Sequence, residues 1–234
     1  MEYLLELRKR LLLCLGFTLI VFVGLCFFAN PIYLMLTKPL LKQLPSAHLI
    51  ATQITTPFLI PIKFVFIVSL IALIPFFFYH LWAFISPALY AKEKSTVWLL
   101  LLPSVFLFYT GFFFAYFIVL PTIFRFFIAT TPVQVHLLPD MAHYLSFSLK
   151  ILFAFGLAFQ VPIIVMALIL LNIVSREQLV SARRYVIVLS FIIGMIFTPP
   201  DIFSQILLAI PIWLLYELGL FLARFIKRRN SDIG

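Results

Sequence analysis

Apolar residues run along this chain in long blocks, broken by short polar or proline-rich stretches. A helix needs about 20 consecutive apolar residues to cross lipid. The first block covers residues 11–29 and follows Arg8, Lys9 and Arg10. It exceeds the roughly 7–15-residue core of a cleavable signal peptide and ends at Asn30-Pro31, so a retained anchor is expected. Blocks at 58–81, 97–120 and 144–173 are each long enough to cross, with tilt to spare. The last apolar stretch, 186–223, is interrupted by Thr198, Pro199, Pro200 and Asp201. Two prolines remove two amide donors and push the preceding residue away from helix. The chain therefore either turns back there as two short spans or crosses once as a broken one.

Charge placement separates these two outcomes. With two spans, Arg8, Lys9, Arg10, Lys92, Lys94, Arg176, Arg183, Arg184, Arg224, Lys227, Arg228 and Arg229 share one side, and only Lys38, Lys42 and Arg125 face the other. With a single last span, the four tail charges change sides and the bias nearly vanishes. Cytoplasmic loops concentrate Lys and Arg. The pattern predicts an all-α membrane protein, one polytopic domain over 1–234. It has six transmembrane helices (11–29, 58–81, 97–120, 144–173, 186–198 and 202–223) and both termini in the cytoplasm. The fifth and sixth spans are short. The fifth reaches only about 20 Å, against about 30 Å of hydrocarbon.

The outer loops carry elements of their own. Asn30-Pro31 reads as an N-cap with proline at the first helical position, followed by an apolar stripe of Ile32, Met35, Leu36 and Leu40. Pro121 opens a similar segment with Ile123, Phe124, Phe126 and Phe127. Both are expected to be short periplasmic helices.

Composition narrows the class. Of 234 residues, 65% are hydrophobic and only 11% are charged. A soluble fold of this size cannot hide so much apolar surface. Disorder needs low hydrophobicity, and an outer-membrane barrel alternates apolar with polar residues. The net charge of +9 would suggest nucleic acid on a soluble protein, but the positive-inside pattern explains it, and no nucleic-acid partner is expected. Cys14 and Cys26 lie in the first block and lack metal-ligand spacing, so neither a metal nor another cofactor is expected.

The eight acidic residues are the scarce resource. Glu2, Glu6, Glu93, Glu177 and Asp232 fall on the cytoplasmic side, Asp140 and Asp201 fall outside, and Glu217 sits within a span. The four histidines, in three different loops or rims, form no catalytic set, and no HExxH, GxSxG or Walker pattern occurs. An enzyme is not expected. Glu6 has Arg10 as an i,i+4 partner, a pair worth roughly 0.3–0.5 kcal/mol. The loop from Trp82 to Lys94 is aromatic, contains Pro87, and carries the carboxylate Glu93. Residue chemistry leaves two readings level: an interfacial belt with solvated charges, or two rim carboxylates that accept a cationic ligand.

Several ordered segments carry a resemblance. They are Glu6-Leu7-Arg8-Lys9-Arg10-Leu11, then Trp82-Ala83-Phe84 through Glu93, then Phe155-Gly156-Leu157-Ala158-Phe159-Gln160-Val161-Pro162. Arg184-Tyr185, Thr198-Pro199-Pro200-Asp201 with Ser204-Gln205, and Leu215-Tyr216-Glu217 complete the series. On a six-span pattern these resemble the TatC family, the multispanning subunit of the twin-arginine protein translocase. Tyr3 departs from it, standing where the family often has His.

The resemblance implies a receptor in the bacterial inner membrane that binds twin-arginine signal peptides at its cytoplasmic face. With TatA- and TatB-type single-span proteins it would export folded proteins using the proton-motive force, as a homo-oligomer within a larger complex in membrane lipid. Glu6 and Glu93 match the family's signal-binding carboxylates, and Phe84 matches an aromatic of the same loop. Gln160 stands where the family places Glu or Gln facing a concave interior. Asp201 and Gln205 match the outer turn and the start of span six.

Local alternatives remain for several of these. Gln160 can bond backbone freed by Pro162, Asp201 can cap span six, and Glu217 can pair with Arg183 or Arg184. The rival function is a polytopic small-molecule or ion transporter. It would require ionisable or broken-helix sites near the midplane and the inverted halves that this sequence does not display.

Overall fold

A computed structural model of the chain describes residues 2–41, 49–85, 94–132, 138–171, 173–198 and 201–231. Among them the regular structure is helical. The elements are α1 (Glu2–Cys26), α2 (Ala29–Leu41), α3 (Thr56–Ala72), α4 (Ile74–Ile85), α5 (Lys94–Phe114), a π turn (Ala115–Val119) and α6 (Leu120–Thr130). They continue with α7 (Met141–Ala158), α8 (Val161–Leu170), α9 (Arg176–Ser181), α10 (Arg183–Phe197) and α11 (Ile202–Ser231). Four helical stretches are long and apolar enough to cross a membrane, or five if bent α3 and α4 form one span. The protein is therefore a multi-pass α-helical membrane protein. At 15 residues, α10 is shorter than an ordinary crossing helix.

The chain divides into two compact units, residues 1–101 with 120–149, and residues 102–119 with 150–234. In the first unit α1 runs antiparallel to α3 and α4. Phe17 meets Phe76 at 4.8 Å between ring centroids, and Phe22 meets Phe66 at 5.6 Å. The expected second span is bent by 47° between α3 and α4. Pro75, second in α4, has no amide to donate, and its ring excludes the carbonyl of Ile71, so helical bonding cannot continue straight.

α2 begins at Ala29, so Asn30 lies inside the helix instead of capping it. Within its apolar stripe Leu36 is buried and Met35 is exposed, and Thr37 is buried next to Leu36. The Tyr144 hydroxyl fixes this face by donating to the Leu36 carbonyl at 2.9 Å.

Span three does not stop at Leu120. Residues 100–130 form one continuous apolar helical stretch, so the expected separate outer helix is its extension. The π turn sits one turn before Pro121, where an ordinary α-helix would place a carbonyl against the proline ring. The wider turn absorbs that clash and lets the helix run on.

In the second unit small residues bring helices close. A Cβ on Gly111 would lie 2.6 Å from the Phe155 carbonyl oxygen, and one on Gly156 would lie 2.7 Å from the Phe108 ring. Lipid supplies no hydrophobic drive between helices, so close packing of this kind holds α5 against α7. Gly219 likewise abuts the backbone of Pro162 and joins α11 to α8. Around that contact Val165, Tyr216 and Leu220 are buried together. The expected fourth span breaks at Phe159–Gln160, between α7 and α8, where Pro162 removes a helical donor. The two helices nevertheless remain one long apolar stretch.

α10 and α11 pack as an antiparallel pair. Gly194 faces Gln205, and Arg183 meets Glu217. The chain thus reverses direction between α10 and α11.

Candidate functional site

The first turns of α1 place Glu6 and Arg10 on one face, since residues four apart are neighbours on a helix. Arg10 turns its fork onto a single carboxylate oxygen. Its Nε donates to Glu6 Oε1 at 3.1 Å and its Nη2 to the same atom at 2.5 Å. A third nitrogen, Nη1, donates to the His80 carbonyl on α4 at 3.4 Å. The His80 ring packs edge-on against Phe76 at 4.4 Å and Tyr79 at 5.4 Å. Its Nδ1 is buried with no hydrogen-bond partner among the described residues. By contrast Arg8 and Lys9 are exposed. Glu6 thus stands half-exposed, already bonded to a guanidinium. Phe84 lies in the last turn of α4, with its side chain outside the described residues, and Glu93 lies outside them altogether.

The remaining predicted residues fall in the second unit. Gln160 is buried and precedes α8, with Pro162 in that helix's first turn. Its Nε2 donates to the Ser104 carbonyl on α5 at 3.0 Å. It therefore bonds backbone, but on a neighbouring helix and not at the carbonyl freed by Pro162. Glu217 pairs with Arg183 and not Arg184: Arg183 Nε lies 2.7 Å from Oε1, and Nη2 lies 2.8 Å from Oε2. Arg184 instead lies over the Tyr185 ring, 4.9 Å from its centroid.

Asp201 caps α11, with Oδ1 accepting the Ser204 amide at 2.7 Å. Its buried Oδ2 has no hydrogen-bond partner among the described residues. Gln205 donates from Nε2 to the Phe191 carbonyl at 3.0 Å, tying α11 to α10 beside Gly194.

The sequence reading missed three anchors. One is the Arg10 bond to the His80 carbonyl. The second is a clasp in the first unit, where Asp140 caps α7 and also grips Thr52. Its Oδ1 accepts the amides of Ala142 and His143, and its Oδ2 accepts the Thr52 hydroxyl at 2.8 Å. An isolated bridge between Ile50 and Asp140 runs beside it. The His143 amide and the Thr52 hydroxyl hold the Asp140 carboxyl well below the usual carboxylate range. The aspartate directly before an apolar helix was the available signal. The third is the capping box of α9, Ser175 with Gln178, whose S-x-x-Q spacing is legible in the sequence.

Comparison with known proteins converges on one family. Residues 2–211 match the family model described as "Sec-independent protein translocase protein (TatC)". The Sec-independent protein translocase protein TatC of Escherichia coli strain K12 is 47% identical over 98% of this chain and 90% of its own length. The TatC of Haemophilus influenzae is 46% identical over 98% of this chain and 90% of its own. A crystal structure of the twin arginine translocase receptor TatC superposes with a TM-score of 0.84 at 40% identity, covering 95% of this chain and 98% of the other. A second, in the detergent DDM, gives 0.86 at 41% identity, covering 94% and 99%. Membership at this level sets aside the small-molecule transporter as the rival. The chain belongs to the TatC family of Sec-independent protein translocase proteins.

Proposed function

We propose that this chain is the signal-receiving core of a twin-arginine translocase in the bacterial inner membrane. It crosses six times with both termini in the cytoplasm, and Glu6, Glu93 and Phe84 receive the twin-arginine signal peptide of a folded cargo protein. TatA- and TatB-type single-span partners join it, several copies assemble in one lipid-embedded complex, and the proton-motive force drives export. Gln160, Asp201, Gln205 and Glu217 serve the intramembrane and outer faces that partners contact. The antiparallel α10–α11 pair and the one-sided Lys and Arg distribution support the six-span topology.

The observation that carries the receptor reading is the state of Glu6. Its carboxylate sits half-exposed and holds a guanidinium at hydrogen-bond distance, and that guanidinium also reaches the His80 carbonyl. Two adjacent signal arginines present two planar forks, each suited to a carboxylate in a way that a lysine cannot match. An exposed pair gives about 0–1 kcal/mol, whereas a charge-assisted bond in a partly buried pocket gives about 1.5–3 kcal/mol. Two carboxylates are thus enough to separate Arg-Arg from Lys-Lys by tens to hundreds, at about 1.4 kcal/mol per tenfold.

The test is site-specific photo-crosslinking of an Arg-Arg and a Lys-Lys signal peptide to the receptor in its native membrane. Glu93→Ala is expected to abolish Arg-Arg crosslinking with the protein still inserted. Glu6→Ala is expected to weaken it less, because Arg10 already competes for Glu6. Undiminished crosslinking and export in both variants would overturn the assignment.

A further inference from the structure

We infer that Arg10 is an internal stand-in for a signal arginine, an autoinhibitory contact that must be displaced before Glu6 can take its ligand. The inference rests on the receptor reading above and goes beyond it.

Three observations lead there. Arg10 is the one cation among Arg8, Lys9 and Arg10 that is drawn inward: its neighbours are exposed, while its own side chain is 23% exposed. It is also held from two helices, by the Glu6 carboxylate on α1 and by the His80 carbonyl on α4. Finally, its hold on Glu6 is asymmetric. Both nitrogens converge on Oε1, and among the described residues Oε2 has no partner.

The asymmetry sets the mechanism. A guanidinium is best accommodated by a carboxylate when two parallel bonds reach both oxygens. Arg10 does not adopt that arrangement here: Nε and Nη2 share Oε1 while Nη1 reaches the His80 carbonyl. An incoming signal arginine has no such tether, so it can fork onto both oxygens and release Arg10. The resting contact keeps the carboxylate partly neutralised and unavailable to stray cations. Displacing Arg10 requires the same work whichever cation replaces it. Arg10 therefore sets the affinity threshold and leaves the choice between arginine and lysine to the geometry of the carboxylates.

The experiment titrates Arg-Arg and Lys-Lys signal peptides against the full chain in its native complex, with crosslinking normalised to receptor present. Arg10→Gln is expected to raise apparent affinity for both peptides by about two- to fivefold, the scale of a helix ion pair together with removal of one like charge. The ratio between the peptides should stay unchanged. Arg10→Lys, which keeps the charge but loses the fork, should fall between wild type and Arg10→Gln. Glu6→Ala is measured alongside. If Glu6→Ala weakens Arg-Arg binding but Arg10→Gln leaves it equal or weaker, the stand-in role is overturned and the receptor reading survives. If Glu6→Ala binds like wild type, the stand-in role falls, and the receptor reading falls with it only if Glu93→Ala also binds like wild type.

Discussion

Arg183 and Glu217 are joined by two bonds, 2.7 and 2.8 Å, that pair each carboxylate oxygen of one helix with its own nitrogen on the other. The pair ties the cytoplasm-facing start of α10, in the proposed topology, to the middle of α11. Glu217 is 29% exposed and Arg183 47%, so solvent screens the attraction and about 1 kcal/mol is the appropriate scale. Arg183→Ala and Glu217→Ala should each lower stability by about that amount, and the double variant by less than the sum. Unfolding in detergent followed by helical signal checks it. Full additivity would show that the bonds do not couple the two helices.

Gln160 should matter through its donor. Gln160→Met fills similar volume but cannot bond the Ser104 carbonyl. Losing an interhelical bond in a membrane protein costs roughly 0.6–2 kcal/mol. Gln160→Glu can restore the bond only when its carboxyl carries a proton. Its stability should therefore decline as pH rises and converge on wild type as pH falls. A pH series of detergent unfolding midpoints measures this, and a flat profile would contradict the donor role.

Gly111→Ala should be worse than Gly156→Ala. At Gly111 the new methyl meets the backbone oxygen of Phe155 at 2.6 Å, and backbone cannot step aside. At Gly156 it meets the Phe108 ring at 2.7 Å, a side chain with some freedom although it is fully buried. Overpacking of this kind costs about 1–3 kcal/mol. Comparing folded yield and thermal midpoint of the two variants tests the order.

The Asp140 clasp should be insensitive to pH across the working range. Its carboxyl is depressed below the ordinary value, so its stabilisation is complete above about pH 4, the unfolded value. It is lost only as pH falls through the folded value, which lies lower still. A disulfide-forming pair, Ile50→Cys with Met141→Cys, reports the clasp, because the Met141 amide donates to the Ile50 carbonyl at 2.9 Å. After a fixed-pH oxidation step, the fraction linked should be the same for samples held at pH 8 or pH 5. Adding Asp140→Ala should lower it at both.

Much of the helical layout was legible because lipid enforces long apolar blocks. The reversal after Phe197 was legible as a helix break, since Pro199 and Pro200 interrupt the last apolar block. The extension past Pro121 was not, because a proline is read as a stop and the π turn that accommodates it leaves no residue signature. The burial of Thr37 on α2 was not legible either, because it depends on what packs above it. Of the candidate site, the Glu6–Arg10 spacing and the two partners offered for Glu217 could be read from helix period and charge. Its long-range anchors, such as Arg10 on the His80 carbonyl and Gln160 on the Ser104 carbonyl, join residues 70 and 56 positions apart. Local pattern carries no trace of such pairings.

The shortness of α10 also bears on how the protein is made. Its 15 residues extend about 22 Å, well short of about 30 Å of hydrocarbon. Its stabilising partners, Gln205 and Glu217, are synthesised later, on α11. As the chain leaves the ribosome, α10 therefore has no adequate hold on lipid until Glu217 has followed it. In the proposed six-span topology the two helices therefore enter the bilayer as one hairpin, and a nascent chain halted before α11 should leave α10 at the interface.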